Sequence, residues 1–322
     1  SFSQERLWFI HEFGQSKAYH IPGVIELNEI PDLKILNESI NFLIARHESL
    51  RTCFYKNKGE VYQRVLDKLE IKVAEYDLTD LESIEKKARK ERLLEDLVEQ
   101  PFDLQDGPLI RVMMIKTGSE EAVLGYCMHH IILDGWSLKI FSEEMNEVSG
   151  QLKNGEKPYL PELPIQYIDY AVWQHEYYTE DMIANDLEHW KNHLEGYEKL
   201  AFPTDFRRPE ILSGAGSRVI KLLDKDVVNK ARQVSMDNEA TSFAGLMSCV
   251  YALLYNYSGQ RDICAGTPVA NRNNINTEGL NGIFVNTLIN RVQIDPTNTL
   301  LDLLKSVQEE LIRNQEYQEI PF

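Results

Sequence analysis

The sequence predicts a mixed α/β fold, of the α/β or α+β class, that is built in two halves. Apolar positions at helical spacing and apolar runs of strand length alternate along the chain, as expected for this class. Glycines, prolines and charged residues between Gly150 and Pro164 favour a boundary there. We therefore predict one domain over residues 1–160 and a second over residues 161–322.

The first half contains two predicted helices, a predicted hairpin and a further helix. Helical spacing of apolar residues predicts helices from Asp32 to Leu50 and from Ser83 to Glu99. Apolar runs from Leu109 to Ile115 and from Ala122 to Leu133 predict two strands joined by a short turn. A helix is expected after the second strand, with Ser137 capping its first turn.

The second half continues the alternation of helices and strands. Its predicted helices are Met182–Lys199, Ser242–Tyr257 and Leu300–Asn314. Its strand-like segments are Arg218–Leu223, Asp262–Pro268 and Ile283–Val292. Gly259 is expected to end the second of these helices, and Thr299 is expected to cap the third.

Composition excludes several classes of protein. The 322 residues carry a net charge of −17, which argues against a nucleic-acid partner. No apolar stretch approaches the ~20 residues that cross a bilayer, so we expect neither a transmembrane nor a signal segment. The four cysteines form no CxxC pair, so we expect reduced core residues in a cytoplasmic protein. They are Cys53, Cys127, Cys249 and Cys264.

The most unusual segment places two histidines in an apolar strand that ends in an Asp-Gly turn. If the strand continues through the pair, His129 and His130 face opposite ways, so only one can line a cleft. A neutral imidazole accepts a proton near neutral pH, which makes one of them a candidate general base. Asp134 could hold an arginine or a loop, and Gly135 could admit a ligand or adopt a positive φ.

Two other interpretations of this segment stay open. The histidines could be satisfied core residues, each with a hydrogen-bond partner, beside an ordinary turn. A zinc site is disfavoured because no further metal-ligand spacing converges on the pair. The sequence also contains neither a GxSxG elbow nor a P-loop. Without a nucleophile beside the base, direct acyl transfer is the natural prediction.

The segment His129 to Gly135 fits the HHxxxDG signature of nonribosomal peptide synthetase condensation domains. Five further segments resemble other motifs of that family, in the family's order. They are Ser3–Phe9, Arg46–Phe54, Tyr167–Gln174, Gly282–Thr287, and Asn314–Tyr317 with Pro321-Phe322. HxxxDG alone would indicate only the wider acyltransferase superfamily, so the ordered series carries the resemblance.

The resemblance implies two lobes similar to chloramphenicol acetyltransferase, which form a V-shaped pseudo-dimer with a tunnel between them. Donor and acceptor would each arrive as a thioester on the 4'-phosphopantetheine arm of a carrier domain, and the acceptor amine would attack the donor carbonyl. The domain itself would bind no cofactor and no metal. Its partners would be the upstream and downstream peptidyl carrier domains and a neighbouring adenylation domain, in the biosynthesis of antibiotics and other secondary metabolites.

Carried onto this sequence, the resemblance assigns roles to individual residues. His130 becomes the base or the amine-positioning group, whereas His129 and Asp134 become structural. Arg51 and Arg272 are both candidates for the ion-pair partner of Asp134. Gly135 and Trp136 would line the centre of the tunnel, and Asn286 would reach it from the other lobe.

Departures from the family pattern leave alternatives open. The sequence ends within the sixth motif and lacks the seventh, so we expect an incomplete second lobe. The turn is not the DGVSW form of epimerization domains, and cyclization variants carry aspartate in place of the histidines. A non-catalytic docking module and a free-standing acyltransferase are the competing functions. The intact His129, His130 and Asp134 count against the docking module.

Overall fold

The computed structural model describes residues 1–14, 16–207, 209–210 and 216–320. It confirms a mixed α/β architecture and divides into two compact units. The first unit comprises Ser1–Tyr177 and Arg272–Phe284, and the second comprises Tyr178–Asn271 and Val285–Phe322. The division falls after Tyr177 and not near residue 160. Hydrogen bonds explain this difference, because Tyr167 bonds to Ser1 and to the carbonyl of Ile283 inside the first unit.

The first unit is built on a four-stranded sheet of order β1-β6-β5-β4, in which only the β4–β5 pair is parallel. Its strands are β1 (His20–Leu27), β4 (Ala74–Asp77), β5 (Ile110–Lys116) and β6 (Ala122–His129). A separate antiparallel hairpin pairs β2 (Thr52–Asn57) with β3 (Glu60–Val65). The helices are α1 (Phe2–Glu12), α2 (Leu33–Arg46), α3 (Ser83–Glu99), α4 (Gly135–Lys153) and α5 (Tyr167–Tyr177).

The two faces of this sheet have different neighbours. Tyr126 and Met128 line an apolar cavity together with side chains of α2 and α4, such as Leu138. On the opposite face α3 packs closely, because a Cβ atom added to Gly125 would lie 2.8 Å from Leu94 Cδ2. Strand alternation therefore directs His129, which shares its face with Gly125, toward α3.

The second unit contains α6 (Glu180–Leu194), α7 (Lys225–Asp237), α8 (Ser242–Ser258), β7 (Asp262–Val269), β8 (Asn286–Gln293) and α9 (Leu300–Gln315). β7 and β8 pair antiparallel. Their apolar side chains Ile263 and Val292 pack with Tyr251 of α8 and Val307 of α9 in one buried cluster. Apolar burial on one face of each element thus supplies the core of this unit.

Most predicted elements match the structure, and two predicted ends are confirmed. Gly259 ends α8 in a left-handed conformation with φ of 72°, and the Thr299 side chain caps α9. The predicted strand Arg218–Leu223 is wrong, since those residues form no strand and Val219 is 94% exposed. Apolar alternation alone does not make a strand without a partner to accept its backbone hydrogen bonds.

Two further expectations are corrected. Cys249 is exposed on α8, although Cys53 and Cys127 are buried as predicted. The strand predicted to run to Leu133 ends at His129. Within the described ranges, no helix combines the length and the apolar character needed to cross a bilayer.

Candidate active site

The site is assembled where β6 gives way to a short turn before α4. β6 ends at His129, residues 130–132 form the turn, and α4 begins at Gly135. The backbone N–H of His130 donates to the carbonyl oxygen of Tyr19 at 2.8 Å. Alternation of strand faces therefore stops at His129, and the turn, not the strand, orients His130.

His129 is fully buried and holds the turn from within. Its Nδ1 atom accepts a hydrogen bond from the backbone N–H of Ile131 at 3.1 Å. Burial, with smaller contributions from His20, His11 and His130, lowers the pKa of His129 from 6.5 to about 3. His129 is therefore neutral at physiological pH and is no general base.

The side chain of His130 is half-buried and makes fewer hydrogen bonds than expected. Its backbone is fixed by Tyr19, but its Nδ1 atom is buried with no hydrogen-bond partner among the residues that the structure describes. The expectation of a partner for each histidine is thus wrong for this nitrogen. Of the two imidazoles, that of His130 retains access to solvent.

Both carboxylate oxygens of Asp134 accept hydrogen bonds from other parts of the fold. Its Oδ1 accepts from the backbone N–H of Ser137 at 2.8 Å and from Arg272 Nη2 at 3.2 Å. Its Oδ2 accepts from the backbone N–H of Phe284 at 3.0 Å. Asp134, not Ser137, is the N-cap of α4. The carboxylate therefore ties the helix start to the segment 272–284.

Arg272 is the ion-pair partner of Asp134, which resolves the choice that the sequence left open. Both side chains are only 2% exposed. The Arg272 guanidinium also donates to the carbonyls of Thr277 and Leu280 and to Ser137 Oγ. Burial lowers the pKa of Arg272, and the charge of Asp134 opposes that shift.

Arg51 has a different role. Its guanidinium donates to the carbonyl of Leu66, just after β3, and to Glu48 Oε1 within the second motif. In the same motif, Arg46 and His47 both reach Glu144 of α4, at 3.0 Å and 2.6 Å. The second motif therefore joins α2 to α4 rather than contributing a group to the turn.

The sequence alone did not identify Ser137 as a residue that links Asp134 to Gly282. Its Oγ lies 2.8 Å from both Asp134 Oδ1 and the carbonyl oxygen of Gly282, and it accepts from the Gly282 N–H at 3.1 Å. Part of the signal was available, since an aspartate at a helix start is a usual N-cap that accepts from the backbone N–H three residues on, here that of Ser137. The partners in the segment 272–284 gave no local signal.

Gly135 and Trp136 follow the cap at the start of α4. A Cβ atom added to Gly135 would meet no atom within 4 Å, and its φ is not positive, so open space and not backbone strain accounts for this glycine. Trp136 is 45% exposed, and its indole N–H donates to the carbonyl of Glu278 at 3.0 Å.

Asn286 lies in the second unit, at the start of β8. Its side-chain amide donates to the carbonyl oxygens of Gln318 at 2.8 Å and Ile320 at 2.6 Å. These contacts join the fifth motif to the residues of the sixth. Pro321 and Phe322, which complete the sixth motif, lie outside the described residues.

No group of three or more potential metal ligands converges within the described part of the chain. The two cysteines of the first unit are also poor nucleophiles. Burial is the main cause that raises the pKa of the Cys53 and Cys127 thiols, so both stay protonated at neutral pH.

Comparison with known families identifies the class. The condensation domain model matches residues 1–322, so the chain belongs to the condensation domain family. The chain is 38% identical over 324 residues to a linear gramicidin synthase of Brevibacillus parabrevis, covering 100% of this chain and 6% of that protein. Malpinin synthetase of Mortierella alpina is 35% identical, with 100% of this chain and 4% of that protein covered. The chain thus spans a small part of these relatives.

Solved structures share the fold. The X-domain of teicoplanin biosynthesis in complex with OxyB superimposes with a TM-score of 0.86 at 24% identity, covering 100% of this chain and 71% of that chain. The first condensation domain of the CDA synthetase superimposes with a TM-score of 0.82 at 17% identity, covering 99% and 76%. Both comparisons support the mixed α/β fold of the condensation domain.

Proposed function

We propose that this chain forms an amide bond between two carrier-bound thioesters in a nonribosomal peptide synthetase, with His130 as the base or amine-positioning group. The donor is an acyl or peptidyl thioester, and the acceptor is an aminoacyl thioester whose α-amine attacks it. The relatives named above are peptide synthetases, which supports this reaction class. Upstream and downstream carrier domains and an adenylation domain are the proposed partners.

The observation that carries the proposal is the contrast among the ionisable groups of the HHxxxDG segment. His129 is enclosed and has a pKa of about 3, so it cannot collect a proton at neutral pH. Asp134 is 2% exposed, and both its oxygens already accept hydrogen bonds. His130 alone combines partial exposure with an imidazole that is not committed to the fold.

The same residues favour direct transfer without an acyl-enzyme. Ser137 is buried and lies between Asp134, Arg272 and Gly282, and the nearby thiol of Cys127 is buried and protonated. Neither can attack a thioester. In the proposed step the amine nitrogen bonds to the thioester carbon, the C–S bond breaks, and the amine proton passes through His130 to the departing thiolate.

Phosphopantetheine enters this reaction as part of the substrates. Each arm belongs to a carrier domain and delivers an already activated thioester. The reaction therefore needs neither an oxidant nor a metal, and we propose that the chain contributes only side chains and backbone to it.

The test uses the parent synthetase with both carriers loaded. Amide product on the downstream carrier is followed by mass spectrometry under single-turnover conditions for wild type and His130→Ala. A positioned base contributes roughly 10²-fold to 10⁴-fold, so we expect a rate loss of that size. His175→Ala is the matched control, because His175 is an exposed histidine of the same unit.

Three results would overturn the proposal. An unchanged rate in His130→Ala, with the control also unchanged, would remove His130 from the mechanism. No product from wild type with both carriers loaded would instead favour a docking module. Equal rates with free thioesters and free amines would favour the free-standing acyltransferase.

A further inference from the structure

A polar cluster lies on the face of the first unit's sheet that turns toward α3. His20 of β1 is directly opposite His129 of β6 in the strand register. Arg111 of β5 is opposite Cys127, which precedes His129 by two residues and shares its face. The side chains of His20, Cys127, His129 and Arg111 are thus neighbours on one buried surface.

Hydrogen bonds define the tautomers of the two histidines. His20 Nδ1 lies 2.7 Å from the carbonyl oxygen of Val98, which can only accept, so His20 carries its proton on Nδ1. His129 Nδ1 accepts from the N–H of Ile131, so His129 carries its proton on Nε2. Both imidazoles have a lowered pKa, mainly through burial, and are neutral.

The remaining nitrogens of the two rings are complementary. His129 Nε2 is a donor and His20 Nε2 is an acceptor, and both are buried with no hydrogen-bond partner among the described residues. The ring centroids lie 6.0 Å apart, and no direct hydrogen bond joins them. A buried donor and a buried acceptor on neighbouring rings are the polar partners that one bridging water needs.

Arg111 supplies a further partner for such a water. Its guanidinium stacks on Phe102 at 3.8 Å, and the Phe102 ring lies 4.9 Å from His20 and 6.0 Å from His129. Arg111 Nη2 donates to the carbonyl oxygen of Gln100 at 2.6 Å and the guanidinium interacts with Cys127, whereas Nε and Nη1 are buried with no nitrogen or oxygen partner within the described ranges. The cluster therefore presents more donors than acceptors, and a water oxygen can accept from two of them.

We propose that His20 is a positioning residue that, through one buried water, accepts from His129 Nε2 and so fixes the tautomer with which His129 holds the catalytic turn. The residue before β1 also contributes, because the Tyr19 carbonyl oxygen accepts from the His130 N–H. Tyr19 and His20 therefore orient both histidines of the motif. This inference rests on the proposed function of His130 for its effect on rate, but its hydrogen-bond pattern does not.

A matched pair of substitutions separates the two bonds of His20. His20→Asn can still donate to Val98 but offers no acceptor at the Nε2 position, whereas His20→Gln places an amide oxygen near that position. His20→Phe keeps the ring and removes both bonds. His175→Gln, at an exposed histidine of the same unit, is the control substitution.

In the parent synthetase with loaded carriers, we expect His20→Gln to retain the single-turnover rate within about threefold. His20→Asn and His20→Phe are expected to lose about tenfold to a hundredfold, since small displacements of a catalytic group have effects of that size. Half-saturation by the loaded acceptor carrier should not change. Wild-type rates in both Asn and Phe variants, or equal losses in the Gln and Phe variants, would overturn the proposal.

A second readout needs no variant and no activity. Nitrogen-15 spectra of the chain labelled at histidine should show His129 protonated only on Nε2 and His20 protonated only on Nδ1. The opposite tautomer at either ring, or exchange between tautomers, would overturn the proposal. If these tautomers are found while His130→Ala keeps its rate, the proposed function fails, whereas the hydrogen-bond pattern of His20 and His129 stands and the His20 variants decide the positioning role.

Discussion

The two ends of the HHxxxDG segment differ in how far hydrogen bonds constrain their side chains. At the Asp134 end, both carboxylate oxygens accept hydrogen bonds from groups that include a buried arginine. At the His130 end, the imidazole has a buried nitrogen with no partner within the described part of the chain and is partly open. A single short motif therefore combines a carboxylate fixed by the fold with the imidazole that we propose for proton transfer.

The comparison teaches why the neighbouring histidines are not interchangeable. His129 directs both ring nitrogens into the sheet and the turn, where burial keeps it neutral. His130 is the next residue, yet it lies in the turn and not on the strand. Because β6 ends at His129, the two histidines lie in different backbone environments, one on the strand and one in the turn.

The largest expected effect on stability comes from breaking the buried ion pair between Asp134 and Arg272. Removing one partner of a buried ion pair leaves the other charge unpaired and typically costs about 3–5 kcal/mol. We expect Asp134→Ala and Arg272→Ala each to lower the free energy of unfolding by that amount in urea denaturation. The double variant should cost less than the sum of the two, because it leaves no isolated charge.

Arg51→Ala is the control for this prediction. Arg51 pairs with Glu48 and is partly exposed. Arg51→Ala should therefore lower the free energy of unfolding by much less, about 1 kcal/mol. Equal destabilisation by Arg51→Ala and Arg272→Ala would contradict the assignment of Arg272 as the partner of Asp134.

Acid should weaken the fold through His129. Its pKa is about 3 when folded and 6.5 when unfolded, so below pH 6.5 the unfolded chain binds a proton that the folded chain does not. Stability therefore rises with pH across this window, by roughly 1 kcal/mol per pH unit, and the His129 contribution is constant above it. Urea midpoints measured between pH 7 and pH 5 test the slope.

His129→Asn removes the titrating group and should make that slope shallower, whatever its effect on absolute stability. His20 has its pKa lowered by the same cause, burial, and adds to the slope in the same direction. An unchanged slope in His129→Asn would show that other groups carry the acid sensitivity of the fold.

Local patterns in the sequence were sufficient for much of the scaffold. Apolar spacing predicted α3 as Ser83–Glu99, which is where the helix lies. Motif order predicted a structural role for Asp134, which caps α4 and pairs with Arg272, and a catalytic role for His130, which stays a prediction. The sequence failed where the answer depended on distant residues, since Arg272 is separated from Asp134 by 138 positions in the chain. No local pattern distinguishes it from Arg51.

The end of β6 shows a second limit. Ile131, Ile132 and Leu133 continue the apolar run of the strand, and all three are buried. Apolar burial is the same in a strand and in a buried turn, so hydrophobicity alone could not place the strand end. The backbone bonds from Ile131 to His129 Nδ1 and from Ile132 to the His129 carbonyl decide it.

The smallest expected change in stability is at Gly135, the first residue of α4, which follows Asp134. A methyl group there meets no atom within 4 Å, and the backbone is not in the left-handed region. Because alanine is intrinsically the better helix residue, Gly135→Ala should leave the free energy of unfolding unchanged or raise it by up to about 1 kcal/mol.

The same variant should slow the proposed condensation, because its methyl group projects into the open space beside the helix start that follows His130. A slower single-turnover rate in a protein of undiminished stability would indicate that this space admits substrate. Gly150→Ala is the matched control, since Gly150 also lies in α4 and an added Cβ there meets no atom within 4 Å. Equal rates in both variants would contradict the role of Gly135.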